Sequence, residues 1–175
     1  MKRYDVPRLV FINKLDRMGA DPWNAIEQLK ERLGLTVAPV QVNIGIENGL
    51  EGVVDLLTMK ANYFDGSSGE VVRTEEIPEN LKKLCIEKKL ELIGTLAEFD
   101  DKMEEYYMEE NYDVPVEELK AVIREQTIRL NFCPVFMGSA FKNKGVQPLL
   151  DGVIDYLPTP KEVQNFAYDP KDEDN

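Results

Sequence analysis

Arg8-Leu9-Val10-Phe11-Ile12-Asn13-Lys14-Leu15-Asp16 is the stretch on which the fold turns. The run up to Ile12 is short and apolar, as a strand buried on both faces of a parallel sheet should be. It ends in Asn-Lys-x-Asp. Asp21 then reads as a helix N-cap and Pro22 as a first helical residue. Ile26, Leu29 and Leu33 recur at helical spacing, and Gly34 stops the helix. This strand, loop and helix unit puts Asn13, Lys14 and Asp16 at the carboxyl end of a strand, where open α/β sheets bind their ligands.

A second unit of the same kind lies far downstream. Phe132 to Met137 is strand-like, Gly138-Ser139-Ala140 follows, and Lys142-Asn143-Lys144-Gly145 forms a loop. Leu149, Leu150, Val153, Ile154 and Leu157 then give a last amphipathic helix, closed by Pro158 and Pro160. Between the two units the period changes. From Ala38, Val40, Val42 and Ile44 alternate as in a strand. Val53-Val54 and Tyr63-Phe64 continue a β-like section. Asp65-Gly66-Ser67-Ser68-Gly69 turns it back through Val71-Val72. A long helical stripe follows through Leu81, Leu84, Cys85, Leu92, Leu96, Phe99 and Met103, and a second helix through Leu119, Val122, Ile123 and Leu130. Residues 36–130 therefore read as an inserted unit, because a structureless loop of that length would be implausible. Residues 1–35 and 131–160 form the sheet unit, and 161–175 read as an acidic linker.

Composition bounds the possibilities. The chain has 175 residues, with 21 basic and 33 acidic side chains, for a net charge of −12. That balance argues against a phosphate-backbone binder, and no nucleic-acid site is evident. No apolar run approaches a membrane span. The two cysteines, Cys85 and Cys133, sit far apart in apolar settings and read as buried free thiols. There is no histidine, which removes imidazole bases and most zinc sites.

The two loops suit one chemistry. Guanine presents N1–H and an exocyclic amino group side by side, and one carboxylate accepts both. Adenine lacks that amino group and would leave the carboxylate unpaired, so discrimination by this route is strong. Asp16 is the candidate. Asn13 can reach the N7/O6 side and tie the loops together, the stem of Lys14 can lie across the base, and the Ala140 N–H can donate to O6. Each loop alone also suits an ordinary strand-to-helix turn; their pairing carries the reading. No G-x-x-x-x-G-K-[ST] loop occurs in the 175 residues, so nothing here cradles phosphates.

The sequence resembles the elongation factor G family of translational GTPases. The match runs through Phe11-Ile12-Asn13-Lys14-Leu15-Asp16-Arg17-Met18-Gly19-Ala20-Asp21 and Gly52-Val53-Val54-Asp55-Leu56. It resumes at Gly138-Ser139-Ala140-Phe141-Lys142-Asn143-Lys144-Gly145-Val146-Gln147 and ends in Asp155-Tyr156-Leu157-Pro158. The resemblance implies an α/β fold, namely part of a P-loop-GTPase-type parallel sheet with helices, plus an inserted α+β subdomain. It adds Ser139, Ala140 and Phe141 to the guanine-binding set of Asn13, Lys14 and Asp16. It implies GTP or GDP with Mg2+ in the full-length protein, and the ribosome as partner through the large-subunit stalk protein and factor-binding region. The family's phosphate loop and switch segments would precede residue 1, with Met1 internal to a longer chain, so the isolated chain is expected to be inactive and to hold no cofactor. The wording at Met1-Lys2-Arg3-Tyr4 and Glu162-Val163-Gln164-Asn165-Phe166-Ala167 is closer to the mitochondrial factor, which implies the mitochondrial matrix, with bacterial cytoplasm as the alternative. Asn43 stands where the family has proline, and Asn48-Gly49-Leu50-Glu51 departs from its usual wording.

Glu98, Asp101 and Glu105 fall at spacings of three and four, so they share one helix face, which by itself suits a solvated surface. The family's inserted subdomain meets the stalk protein through an acidic helix, which makes these three the candidate partner-binding residues. A second reading stays open: an autonomous acidic docking module that binds a basic protein and no nucleotide.

Overall fold

A computed structural model describes residues 5–162. Met1 to Tyr4 and most of the expected 161–175 linker lie outside the described residues. Three short strands, β1 (Val10–Ile12), β2 (Val37–Pro39) and β7 (Cys133–Met137), form a parallel sheet in the order β1-β7-β2. Four more, β3 (Gln41–Ile44), β4 (Gly52–Asp55), β5 (Lys60–Asp65) and β6 (Val71–Glu75), form an antiparallel sheet in chain order. Helix α1 (Pro22–Leu33) joins β1 to β2. Helices α2 (Glu79–Ala97), α3 (Asp101–Met108) and α4 (Val116–Ile128) lead from β6 to β7, and α5 (Val146–Tyr156) follows β7. Among the described residues no helix is long and apolar enough to cross a membrane.

The two-residue period of the parallel strands sorts their side chains into two cores. Val10, Ile12, Val37, Val135 and Met137 pack toward α1 with Leu15, Ile26, Val53 and Phe64. Phe11, Ala38 and Phe136 face the opposite side, with Leu92, Leu96, Leu119, Ile123 and Tyr156 of α2, α4 and α5. The antiparallel sheet has its own cluster, in which Val42, Ile44, Val54 and Leu56 pack on Ile77 and Cys85. Each such side chain contributes about 1.5–3 kcal/mol on burial. Half-buried Trp23 touches both the α1-side core and the antiparallel one, and the Lys88 ammonium of α2 lies 4.8 Å from its ring centroid.

The change of sheet falls at Val40. Its N–H donates to Val135 in the parallel sheet, and its carbonyl accepts from Leu56 in the antiparallel unit. β2, just after residue 36, thus pairs in parallel with β7, while β3 onward pairs only within the second sheet. The chain runs from β3 to α4 before returning to β7, beside the strand it left.

Helix α1 begins and ends on local chemistry. The Asp21 carboxylate accepts from the Asn24 N–H at 3.0 Å, Pro22 sits in the first turn, and Gly34 closes the end at φ +58°. The expected long helix through Met103 is two helices instead. Asp100 adopts an extended conformation and accepts from the Lys102 and Met103 N–H groups, so α3 starts anew there. The apolar period carries across the break because Leu96 and Met103 enter the same core. Helix α5 also departs from expectation. It buries Gly152 and Tyr156 against Phe136, while Leu150, Val153 and Ile154 stay exposed, Ile154 at 76%. Both cysteines are free and buried, and burial pushes each thiol up to about 11.

Candidate functional site: two loops at the carboxyl ends of β1 and β7

The register of β1 on β7 decides where the loops meet. Val10 pairs with Val135, Phe11 with Phe136 and Ile12 with Met137. Both chains therefore leave the sheet at one level, as Asn13 and Gly138. Gly138 donates to the Ile12 carbonyl at 3.0 Å, and the Leu15 N–H donates to the Gly138 carbonyl at 3.1 Å. The close approach explains the glycine: a Cβ at Gly138 would stand 2.1 Å from the Lys144 carbonyl oxygen.

Asn13 joins the loops directly. Its Oδ1 accepts from the Lys14 N–H at 2.7 Å and from the Ala140 N–H at 3.0 Å. The Ala140 N–H, expected to face a base, is engaged by Asn13 in this structure. Lys14 lies in the left-handed region at φ +65°, exposed, and its carbonyl accepts from Arg17. Ser139 is fully buried. Its N–H donates to Lys144, and its hydroxyl accepts from the Lys142 N–H. Phe141 is 80% exposed, with the Lys142 ammonium 5.6 Å from its ring. Asn13, Lys14, Ser139 and Ala140 thus gather at one point, while Phe141 projects into solvent beside it.

Asp16 is the chemically unusual member. Its side chain is only 9% exposed, and its Oδ1 is buried with no hydrogen-bond partner among the described residues. Arg17 stands 3.9 Å from the other oxygen but is itself 70% exposed, so that pair contributes little. The Ser139 hydroxyl holds the Asp16 carboxyl below the usual carboxylate range, against an opposing effect of desolvation. A buried, ionised oxygen without a donor is costly, and a ligand that presents N–H would satisfy it.

Several residues that the sequence reading passed over complete the frame. Glu47, in a 3-10 turn between β3 and β4, donates its N–H to the Leu15 carbonyl and accepts from the Gly19 N–H, both at 2.7 Å. Buried Gln41 accepts from the Met137 N–H, and the Lys144 ammonium donates to the Leu50 carbonyl. Only the turn signal Gly45-x-Glu-x-Gly49 hints at Glu47, because its contacts are 28 or more residues away in sequence.

The three acidic candidates do not share one helix face. Glu98 is the C-cap of α2, whereas Asp101 and Glu105 belong to α3 beyond the Asp100 cap. All three are exposed. Lys102 pairs with Glu118 at 3.3 Å, and Tyr107 packs over Gly94. A cleft of about 400 Å³, lined by Leu57, Ile77, Lys89 and Val114, opens on the inserted unit, and no residue of either loop lines it.

The adjacent ends of β1 and β7 thus bring Asn-Lys-x-Asp and Gly-Ser-Ala together at the carboxyl edge of a parallel sheet, where open α/β proteins bind their ligands. The chain belongs to the elongation factor Tu GTP-binding domain family, whose model matches residues 1–159. A crystal structure of a Thermus thermophilus protein is similar at a TM-score of 0.76 and 27% identity. The match covers 92% of this chain and 24% of the Thermus chain, so the chain spans well under half of that structure's length. The family uses Mg2+ with its nucleotide. Among the described residues no group of three or more acidic, cysteine or histidine side chains could hold a metal ion.

Proposed function

We propose that this chain is the guanine-reading part of a larger translational GTPase of the elongation factor G kind, in its mitochondrial form, that acts in ribosomal translocation. Asp16 accepts from N1–H and the amino group of guanine, Asn13 and Ser139 hold the two loops together, and Lys14 covers the base. Ala140 and Phe141 border it. The observation that carries this reading is the buried Asp16 Oδ1 without a donor, at a point that two strand ends leave open. The phosphates and Mg2+ of the intact protein are held elsewhere, by a phosphate-binding part. The exposed carboxylates Glu98, Asp101 and Glu105 form an acidic surface for a basic stalk protein of the large ribosomal subunit.

Asp16→Asn in the intact protein tests the base reading. The carboxamide donates to the carbonyl that xanthine has in place of the amino group, whereas a carboxylate would repel it. GTP affinity should fall by about 3 kcal/mol, roughly two orders of magnitude, while XTP gains. Competition binding with the two nucleotides measures both. A mutant with unchanged GTP preference would remove Asp16 from the site.

A further inference from the structure

The antiparallel unit reaches across to the base-reading loops through one residue. Glu47 grips the Asp16 segment on both sides: its main-chain N–H holds the Leu15 carbonyl, and its Oε1 holds the Gly19 N–H, each at 2.7 Å. Its own backbone is in the left-handed region at φ +56°, which is uncommon for a side chain of this size. The turn that carries it is tightly closed. Gly45 sits at φ +73°, and a Cβ there would stand 1.8 Å from the Gly49 carbonyl oxygen. The Asn43 amide donates to the Gly45 carbonyl at 2.7 Å, and Glu51 donates to Ile44 at 2.9 Å. Glu47 is therefore held by a rigid turn and not by the loop that it touches.

The loop needs such a brace. Residues 15–19 form turns without helix or strand, and they must keep a buried carboxylate oxygen free of donors. Left alone, that segment would turn the Asp16 carboxylate toward water, where it is better solvated. We propose that Glu47 is a positioning residue for base selection, holding the Asp16 carboxylate where a base can pair with it. The proposal rests on the guanine reading above. A second brace works alike on the other loop, where the Lys144 ammonium holds the Leu50 carbonyl at 2.7 Å. The inserted unit thus sets the geometry of a site to which it contributes no base contact.

The experiment compares GDP and IDP binding to the intact GTPase that carries this chain. Inosine keeps N1–H but lacks the amino group, so the GDP-to-IDP affinity ratio reports the pairing of Asp16 with that amino group. Glu47→Ala removes the acceptor for Gly19 and should lower the ratio about tenfold. Glu47→Gln keeps a carbonyl acceptor and should hold the ratio within about twofold. Glu47→Asp keeps the turn and the charge but withdraws the acceptor, and should lower the ratio even if the alanine variant fails to fold. An unchanged ratio in the alanine or aspartate variant, or an equal loss of GDP and IDP, would overturn the proposal. If the unsubstituted protein shows no preference for GDP over IDP, the guanine reading itself fails.

Discussion

Asp16 sets a pH behaviour that separates it from an ordinary surface carboxylate. Its folded-state value is lowered, chiefly by the Ser139 hydroxyl. The contribution of the ionised form is then fully present above the unfolded value and is lost as pH falls through the folded one. The chain has no histidine, so these loops contain no imidazole. The GDP-to-IDP ratio should therefore hold steady from neutrality down to the ordinary carboxylate range and fall only below that range. A titration of that ratio checks this, and a decline centred near pH 6 would contradict it. Residue identities were largely legible here: Asp21, Pro22 and Gly34 do what their local chemistry dictates. Glu47 was not, because a hydrogen bond to a residue 28 positions away leaves no local pattern.

At the scale of elements, the break between α2 and α3 redraws the acidic surface. Periodicity could not reveal it, since the core accepts Leu96 and Met103 on either side, whereas the Asp100-Asp101 pair held the signal in its capping chemistry. Asp101 and Glu105 remain one turn apart on α3, and Glu98 stands on the end of another helix. If this surface meets a basic stalk protein, Asp101→Lys with Glu105→Lys should slow association several-fold at low salt, chiefly through kon. Glu98→Lys should add a separate, smaller effect. Guanine nucleotide affinity should not change, because among the described residues no side-chain hydrogen bond or ion pair joins α2 or α3 to the loops. Stopped-flow mixing at low and high salt decides, and an unchanged low-salt on-rate would return α3 to a solvated face. The apolar stripe of α5 misled in a different way. Its spacing is helical, as read, but the helix docks through Gly152 and Tyr156 instead of through Leu150 and Ile154.

At the scale of the molecule, two sheets share one chain because Val40 bonds into both. That hinge of connectivity was visible as a change of period near Ala38. The membership of β2 in the parallel sheet was not, since three residues are too few to show a period. The chemistry is divided as well. The 175 residues carry the proposed base-reading loops but contain no phosphate-loop motif. Purified as such, the chain should release no phosphate from GTP above a buffer control, and steady turnover that survives repurification would refute this. One feature of the architecture offers a way to watch it. The chain has a single tryptophan, Trp23, wedged where α1 meets the antiparallel unit and capped by the Lys88 ammonium. The chain therefore carries one indole fluorophore, spectrally separable from its tyrosines, at the seam between its two halves. Its emission reports, without any label, whether those halves part together with the whole fold or ahead of it.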